Sequence, residues 1–420
     1  MQSKLRILFI SQYFPPEMGA PSARTFELAR KWTHEGHSVT IVTAFPNHPT
    51  GIIPPDYPQH LYKREKNGEI DVIRTYIYPV ANKGFFKRIL SYLSFMFSSV
   101  ILGPWRTGPV DIIIATSPQF FVAVAGYLMS IIKWKPFIFE VRDLWPESIV
   151  QLGQLKNRTI IRVLEAMEVF LYRKAKDVVV VTESSVSIIE QKGINREKLH
   201  IIKNGVDLEL FHPAEAKADL RKKLGLKDKF VISYIGTHGL SHALDKVLET
   251  AALMQENEDI HFLLVGEGAE KEKLLRMKEE LQLGNVTMLS QIDKQELPDY
   301  YNMCDIVLIT LRDLDLFRCV IPSKMFEIMA VAKPILISVD GEARQIVVHS
   351  AKAGHFVAPE DPNAMRDGIL KLYNNPETCQ ELGKNGRRFV EDYFNRDQLA
   401  LDYLEVLQAA VNGGGNSEIQ

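Results

Sequence analysis

The stretch Ile321-Pro322-Ser323-Lys324-Met325-Phe326-Glu327-Ile328-Met329-Ala330 gathers the residue types that hold a phosphorylated ligand. Pro322 and Ser323 can open a helix, which would aim its free N–H groups at an anion. Lys324 adds a point charge for phosphate, and Glu327, one turn on, can accept two hydrogen bonds from neighbouring ribose hydroxyls. A carboxylate in the first turn also favours the helix dipole without any ligand, so Glu327 alone decides nothing.

Two glycine loops precede it. Tyr234-Ile235-Gly236-Thr237-His238-Gly239 and Val265-Gly266-Glu267-Gly268 both read as strand, glycine, helix, and a glycine lets phosphate approach the main chain. Each is equally a plain turn that needs glycine; two at corresponding places point to a nucleotide diphosphate. The first half has its own loops. Tyr13 to Ser22 holds Glu17 and Gly19 before a helix, with Ser22 available as an ordinary cap. It is not GxGxxG, so a dinucleotide cofactor is poorly supported. Phe45 to Gly51 is polar, and its His48 is unremarkable for a loop. Glu140-Val141-Arg142-Asp143-Leu144-Trp145-Pro146-Glu147-Ser148 puts charges at the end of a buried strand, where they must be paired or used. Asp143 is either half of a structural pair with Arg142 or a contact for sugar or acceptor, and the second is expected.

The elements that must position these loops are apolar runs alternating with amphipathic stretches. Strands are expected at Arg6–Ser11, Ser38–Thr43, Asp71–Thr75, Asp111–Ala115, Phe137–Val141, Asp177–Thr182 and Leu199–Lys203. A second series follows at Phe230–Ile235, His261–Val265, Val286–Leu289, Asp305–Thr310 and Pro334–Ser338. Runs such as Val178-Val179-Val180-Val181 are apolar on both faces, as in parallel sheets covered by helices. The fold class is therefore α/β, with two doubly wound Rossmann-like domains and ligands expected where strand C-terminal ends face a cleft. The expected domains are 1–212 and 213–392, a helix over 393–412 returning to the first domain, and a disordered tail over 413–420.

A length of 420 residues suits two domains. A net charge of −2 argues against a general nucleic-acid binder. Cys304, Cys319 and Cys379 lack metal or disulfide spacing, and Asp313-Leu314-Asp315 lacks a supporting ligand, so neither metal nor cofactor is expected. The N-terminal apolar run Ile7 to Ile10 is too short for a signal segment, which places the chain in the cytoplasm. Segment 83–105 is apolar, with Lys83, Lys87 and Arg88 at its start and four serines within. It is marginal as a spanning helix. It fits either a core helix or an interfacial helix with its basic end on lipid headgroups, and the second is expected.

PSKMFEIMAVAKPIL, NGVDLELF, LLVGEG and FPPEMGAPS together resemble the retaining family-4 glycosyltransferases of GT-B fold, in order along nearly the whole chain. FEVRDLWPES is similar to the O-antigen and capsule branch that transfers N-acetylated amino-deoxyhexoses. The resemblance implies a nucleotide-sugar donor, UDP by preference, and a lipid-linked saccharide acceptor at the inner membrane. It implies Gly19 near the donor, and Gly236, Thr237, His238, Gly266, Ser323 and Lys324 around the diphosphate. Gln291 and Ile292 would pass the base, and Glu327 would hold the ribose. Two departures stand out. The first acid of the family's paired-glutamate motif falls on Cys319, and the usual arginine–lysine pair is replaced by Thr237, His238 and His242. Arg318, Lys324 and loop amides would then meet the phosphate charge. Asp143, Lys324 and Glu17 are the candidates for catalytic contacts. The rivals are a sugar-nucleotide epimerase of the same architecture and a non-catalytic sugar-nucleotide-binding scaffold.

Overall fold

The computed structural model describes residues 4–413, apart from 18, 49, 81–84, 118, 152–154, 216 and 217. Lys83, the tail 414–420 and the side chain of Cys319 thus lie outside the described set. The chain divides into two compact units, residues 1–204 with 397–420 and residues 205–396.

The first unit holds β1 (Arg6–Ile10), β2 (Ser38–Ala44), β3 (Tyr62–Asn67), β4 (Ile70–Thr75), β5 (Ile112–Thr116), β6 (Phe137–Val141), β7 (Asp177–Val180) and β8 (Leu199–Ile201). Their order is β3-β4-β2-β1-β5-β6-β7-β8. All neighbours pair in parallel except β3 with β4. Every residue of β5 and of β6 is buried, which is why these strands read as unbroken apolar runs. β3, Tyr-Lys-Arg-Glu-Lys-Asn, is an added edge strand that the apolar pattern does not reveal. Its alternating exposed charges suit an edge, and Asn67-Gly68, with Gly68 at φ 59°, turns it back into β4.

Helix α1 (Ala20–His34) lies on one face of this sheet. The closing helix Arg396–Asn412 packs beside it, with the Trp32 indole N–H donating to the Ala400 carbonyl at 2.8 Å. On the other face lie α2 (Phe85–Arg106) and α3 (Phe120–Lys133). The serines that interrupt α2 tie it to the chain leaving β4. Ser94 Oγ accepts from the Tyr78 N–H at 2.7 Å, and the Ser98 hydroxyl donates to the Tyr76 carbonyl at 2.5 Å. Among the described residues no helix is long and apolar enough to cross a membrane.

The second unit holds β9 (Phe230–Ile235), β10 (Ile260–Val265), β11 (Val286–Leu289), β12 (Ile306–Thr310), β13 (Ile335–Ser338) and β14 (Gly354–Phe356), in the order β11-β10-β9-β12-β13-β14, all parallel. The strand order reverses between β9 and β12, as it does between β1 and β5 in the first unit. Loops diverge at such a point and leave a crevice at the strand C-terminal ends. The unit begins at 205 rather than at the expected 213. The reason is packing: Val206 and Phe211 are fully buried in its core, and Val206 bridges to Asn395. The returning helix accordingly starts at Arg396 rather than 393.

Candidate active site

In the second unit, β9 is followed directly by Gly236 and β10 by Gly266, both with positive φ, 150° and 147°. The two loops are zipped together: the Gly236 N–H donates to Val265 O at 2.9 Å and the His238 N–H to Glu267 O at 2.8 Å. This zip gives the glycines different reasons to exist. A Cβ on Gly266 would lie 1.8 Å from the Gly236 carbonyl oxygen, and one on Gly268 would lie 2.4 Å from that of His238. Those two glycines are required by loop-on-loop packing. A Cβ on Gly236 would instead meet Lys324 Nζ at 2.6 Å, so Gly236 keeps space for an ammonium.

Lys324 opens the helix Lys324–Ala330, whose Met325, Phe326, Ile328 and Met329 are buried in the core. Lys324 and Glu327 are therefore turned to the other side, three residues apart on one face. The half-buried Lys324 lays its ammonium 3.8 Å from the centre of the Tyr234 ring. The Tyr234 hydroxyl is fixed in turn by donating to Thr237 O at 2.9 Å. Burial pulls the Lys324 pKa down to about 7, against the opposing pull of Glu327. Glu327 accepts from the buried Tyr301 hydroxyl at 3.4 Å. Beside them a cavity of about 200 Å³ is lined by Gly236, Thr237, Gly266, Glu267, Gln291 and Ile292. Complete small-molecule sites run to about 300–1,000 Å³, so this cavity takes part of a ligand.

In the first unit, the buried Glu17 accepts from the N–H groups of Asn47 at 2.8 Å and His48 at 2.9 Å, both through Oε1. Burial raises its pKa to about 7, partly offset by those two donors and by Arg74. Its Oε2 is enclosed with no protein partner, so Glu17 clamps one loop to another and offers no open carboxylate. Gly19 is exposed at φ 127° just before α1. Asp143 is exposed beyond β6, its N–H donating to Ser117 Oγ at 3.2 Å. Beside it Arg142 is held with Nε and Nη1 unpartnered, and burial brings its pKa down to about 10. Trp145 stacks on Phe120 at 4.8 Å between ring centres and belongs to the core. Near Glu17, the rings of Tyr13 and His48 lie 5.0 Å apart, and α2 contributes Arg88, whose Nε–H donates to the Tyr92 hydroxyl at 3.3 Å.

Comparison with known proteins bears on the family and the fold. Residues 216–389 match the family described as "Glycosyl transferases group 1", and residues 22–210 match "Glycosyltransferase Family 4". WcaI of Escherichia coli K12, named as a glycosyl transferase of colanic acid biosynthesis, is 27% identical over 382 residues, covering 89% of this chain and 93% of that one. The protein is a glycosyltransferase. TuaH of Bacillus subtilis, named for teichuronic acid biosynthesis, is 28% identical over 264 residues, 61% of this chain and 64% of that one. Among solved structures, Anabaena HepE in complex with UDP and glucose superposes with a TM-score of 0.71 at 18% identity, covering 96% of this chain and all of that one. The glycosyltransferase has the GT-B fold.

The residues expected from sequence fall into distinct groups in the glycosyltransferase. Gly236, Thr237, Gly266, Gln291 and Ile292 converge on the cavity, with Lys324 next to Gly236 and Glu327 one turn on. Ser323 is exposed and makes no capping bond with its side chain. Two residues do not join them. His238 is fully buried, its N–H is used by Glu267, and burial drops its ring to a pKa of about 4, so it supports the loops as a neutral filler. Arg318 is largely exposed, lies 3.3 Å from Asp315 and does not line the cavity. Tyr234 and Tyr301 were not expected. Their positions in a strand and a helix read as core, and only their hydroxyls, aimed at Thr237 and Glu327, give them a second role.

Proposed function

We propose that the glycosyltransferase takes an N-acetylated amino sugar from a UDP donor and attaches it, with retention, to a lipid-linked saccharide in surface polysaccharide synthesis, at the cytoplasmic face of the inner membrane. The observation that carries this reading is the Lys324 ammonium, held over Tyr234 in space that Gly236 leaves open beside the cavity. A departing nucleoside diphosphate needs its developing charge met by preorganised donors, and a partly desolvated lysine meets it better than one in water. Glu327, which accepts from the Tyr301 hydroxyl, is assigned to the ribose. With the donor's own phosphate oxygen able to take the acceptor proton, retention asks for no dedicated protein base. Neither a metal nor a resident cofactor enters the reading. Asp143, exposed at the end of β6, and the Tyr13, His48, Arg88 and Tyr92 group are assigned to the acceptor, with Arg88 as the cation suiting its phosphates. The names of WcaI and TuaH support polysaccharide synthesis, and the UDP bound to HepE supports the nucleotide. The apolar helix α2 supports the membrane location.

A thermal-shift panel of UDP, GDP, ADP and CDP tests the donor half, since a ligand bound to the folded form raises its melting point. UDP is expected to shift the wild type most, and Lys324→Ala to abolish the shift. An equal response to all four, or an unchanged response in the variant, removes this assignment.

A further inference from the structure

The exposed apolar surface of the first unit is broader than α2. On α2, Phe97, Ile101 and Trp105 are 57%, 62% and 82% exposed, and their spacing of four places them in one stripe. α3 lies alongside. A Cβ on Gly103 of α2 would strike Met129 at 2.7 Å, and the Lys133 ammonium donates to the Gly108 carbonyl at 2.6 Å, so the two C-terminal ends sit together. At that end Ile131, Ile132 and Trp134 are 49%, 46% and 89% exposed.

Trp134 is the unusual one. It caps α3 in the left-handed region at φ 54°, where glycine or asparagine normally stands. Its ring is almost wholly exposed, so the fold gains nothing from keeping a large side chain in a conformation that disfavours one. A use outside the chain accounts for it.

We propose that α3, with Trp134 as its anchor, joins α2 in a two-helix surface that docks on an anionic phospholipid bilayer. This rests on the membrane part of the function proposed above and not on the donor site. Charge selects the occupant. Neither helix contains an aspartate or glutamate, while Lys87, Arg88, Arg106 and Lys133 stand at their ends. Apolar stripes with cations and no anions fit the headgroup region of an anionic bilayer. Tryptophan is also the residue type that settles at that depth. The same docking would set α2 with its Arg88 and Tyr92 edge near lipid-linked acceptors.

The test uses the full chain and vesicles of phosphatidylcholine with or without phosphatidylglycerol. Trp32 and Trp145 are 0% and 8% exposed, so quenching by brominated acyl chains reports on Trp105 and Trp134. Trp134→Gly is expected to bind anionic vesicles roughly tenfold more weakly and to lose about half the quenching, with a melting point unchanged or raised because glycine suits the backbone. Ile131→Ser with Ile132→Ser is expected to weaken binding likewise. Wild-type binding by both α3 variants, with binding lost in Phe97→Ser/Ile101→Ser, would overturn the role of α3 and leave the α2 reading standing. Wild-type binding by all of them would remove both. Self-association through this face without vesicle binding would also overturn the proposal. UDP-induced stabilisation, read in the same samples, reports the donor site separately.

Discussion

Gly236→Ala separates a glycine that leaves room for the Lys324 ammonium, proposed to meet the donor phosphates, from one kept for packing. The new Cβ would stand 2.6 Å from Lys324 Nζ and 3.3 Å from Cε. That neighbour is the far end of a flexible side chain, so it swings away from the Tyr234 ring. The backbone at φ 150° makes the substitution cost about 1–3 kcal/mol of stability. Nucleotide affinity should fall further than stability suggests. A hydrogen bond to a charged group contributes about 1.5–3 kcal/mol, which corresponds to a loss of about 10- to 150-fold in Kd. At Gly266 the same change puts a Cβ 1.8 Å from a backbone oxygen, and no rotamer relieves it. The zipped loops must part, and a cost above about 4 kcal/mol is expected. Calorimetric titration with UDP and denaturant unfolding, on Gly236→Ala, Lys324→Ala and the double variant, decide the matter. If alanine acts by displacing the ammonium, the two affinity losses will not add. Additive losses, or wild-type UDP affinity in Gly236→Ala, would refute the argument.

Three further outcomes follow from the same geometry. Burial lowers Lys324 from its ordinary 10.5 to about 7, so between those values the unfolded chain binds more protons and stability rises with pH across the window. A bound pyrophosphate reverses that shift, so UDP binding should take up close to one proton near pH 8 to about 9, measured by calorimetry in buffers of different ionisation enthalpy, and Lys324→Ala should take up none. Glu17 is raised from 4.5 to about 7, so its contribution is full below 4.5 and is lost as pH climbs to 7; Glu17→Gln should flatten the unfolding free energy over that range while leaving UDP affinity unchanged. Trp32→Ala empties a fully buried site and removes the bond to Ala400, so denaturant titration should show a loss of about 3–5 kcal/mol, with the closing helix the first segment to exchange its amides.

The architecture was legible because β1, β5, β6 and β12 are nearly all buried and so carry uninterrupted apolar runs. β3 was not, because an edge strand with alternating charges has no apolar signature; the Asn67-Gly68 pair was its one visible mark. β14, three residues long, gives no period to read. The unit boundary was displaced because Val206 and Phe211 look like linker residues until their burial is seen. Gly236 and Lys324 stand out in the sequence by type and order, and the structure brings them together. His238, which reads as a ligand contact because it stands next to glycines, is buried beneath the loop zip with neither ring nitrogen partnered by the protein. Arg88 reads only as part of a basic helix end and Tyr92 not at all, because helical periodicity gives a face but not the loop that face meets.

The departures from the family pattern become physically coherent around Lys324. Where the family resemblance implies an arginine–lysine pair, this chain has Thr237, His238 and His242. Burial holds both histidines near a pKa of about 4, with Lys324 among the groups lowering them. They are neutral at pH 7 and supply no countercharge to phosphate. The partly desolvated Lys324 ammonium stands beside Gly236 with Glu327 as its opposing carboxylate, while the Lys271 ammonium is engaged by the Gly266 and Leu289 carbonyls. Desolvation makes the Lys324 charge costly to keep without an anion and correspondingly responsive when one arrives. Differential stabilisation of a leaving group needs this property, because an interaction that strengthens as charge develops lowers the barrier, whereas one already satisfied in the resting site does not.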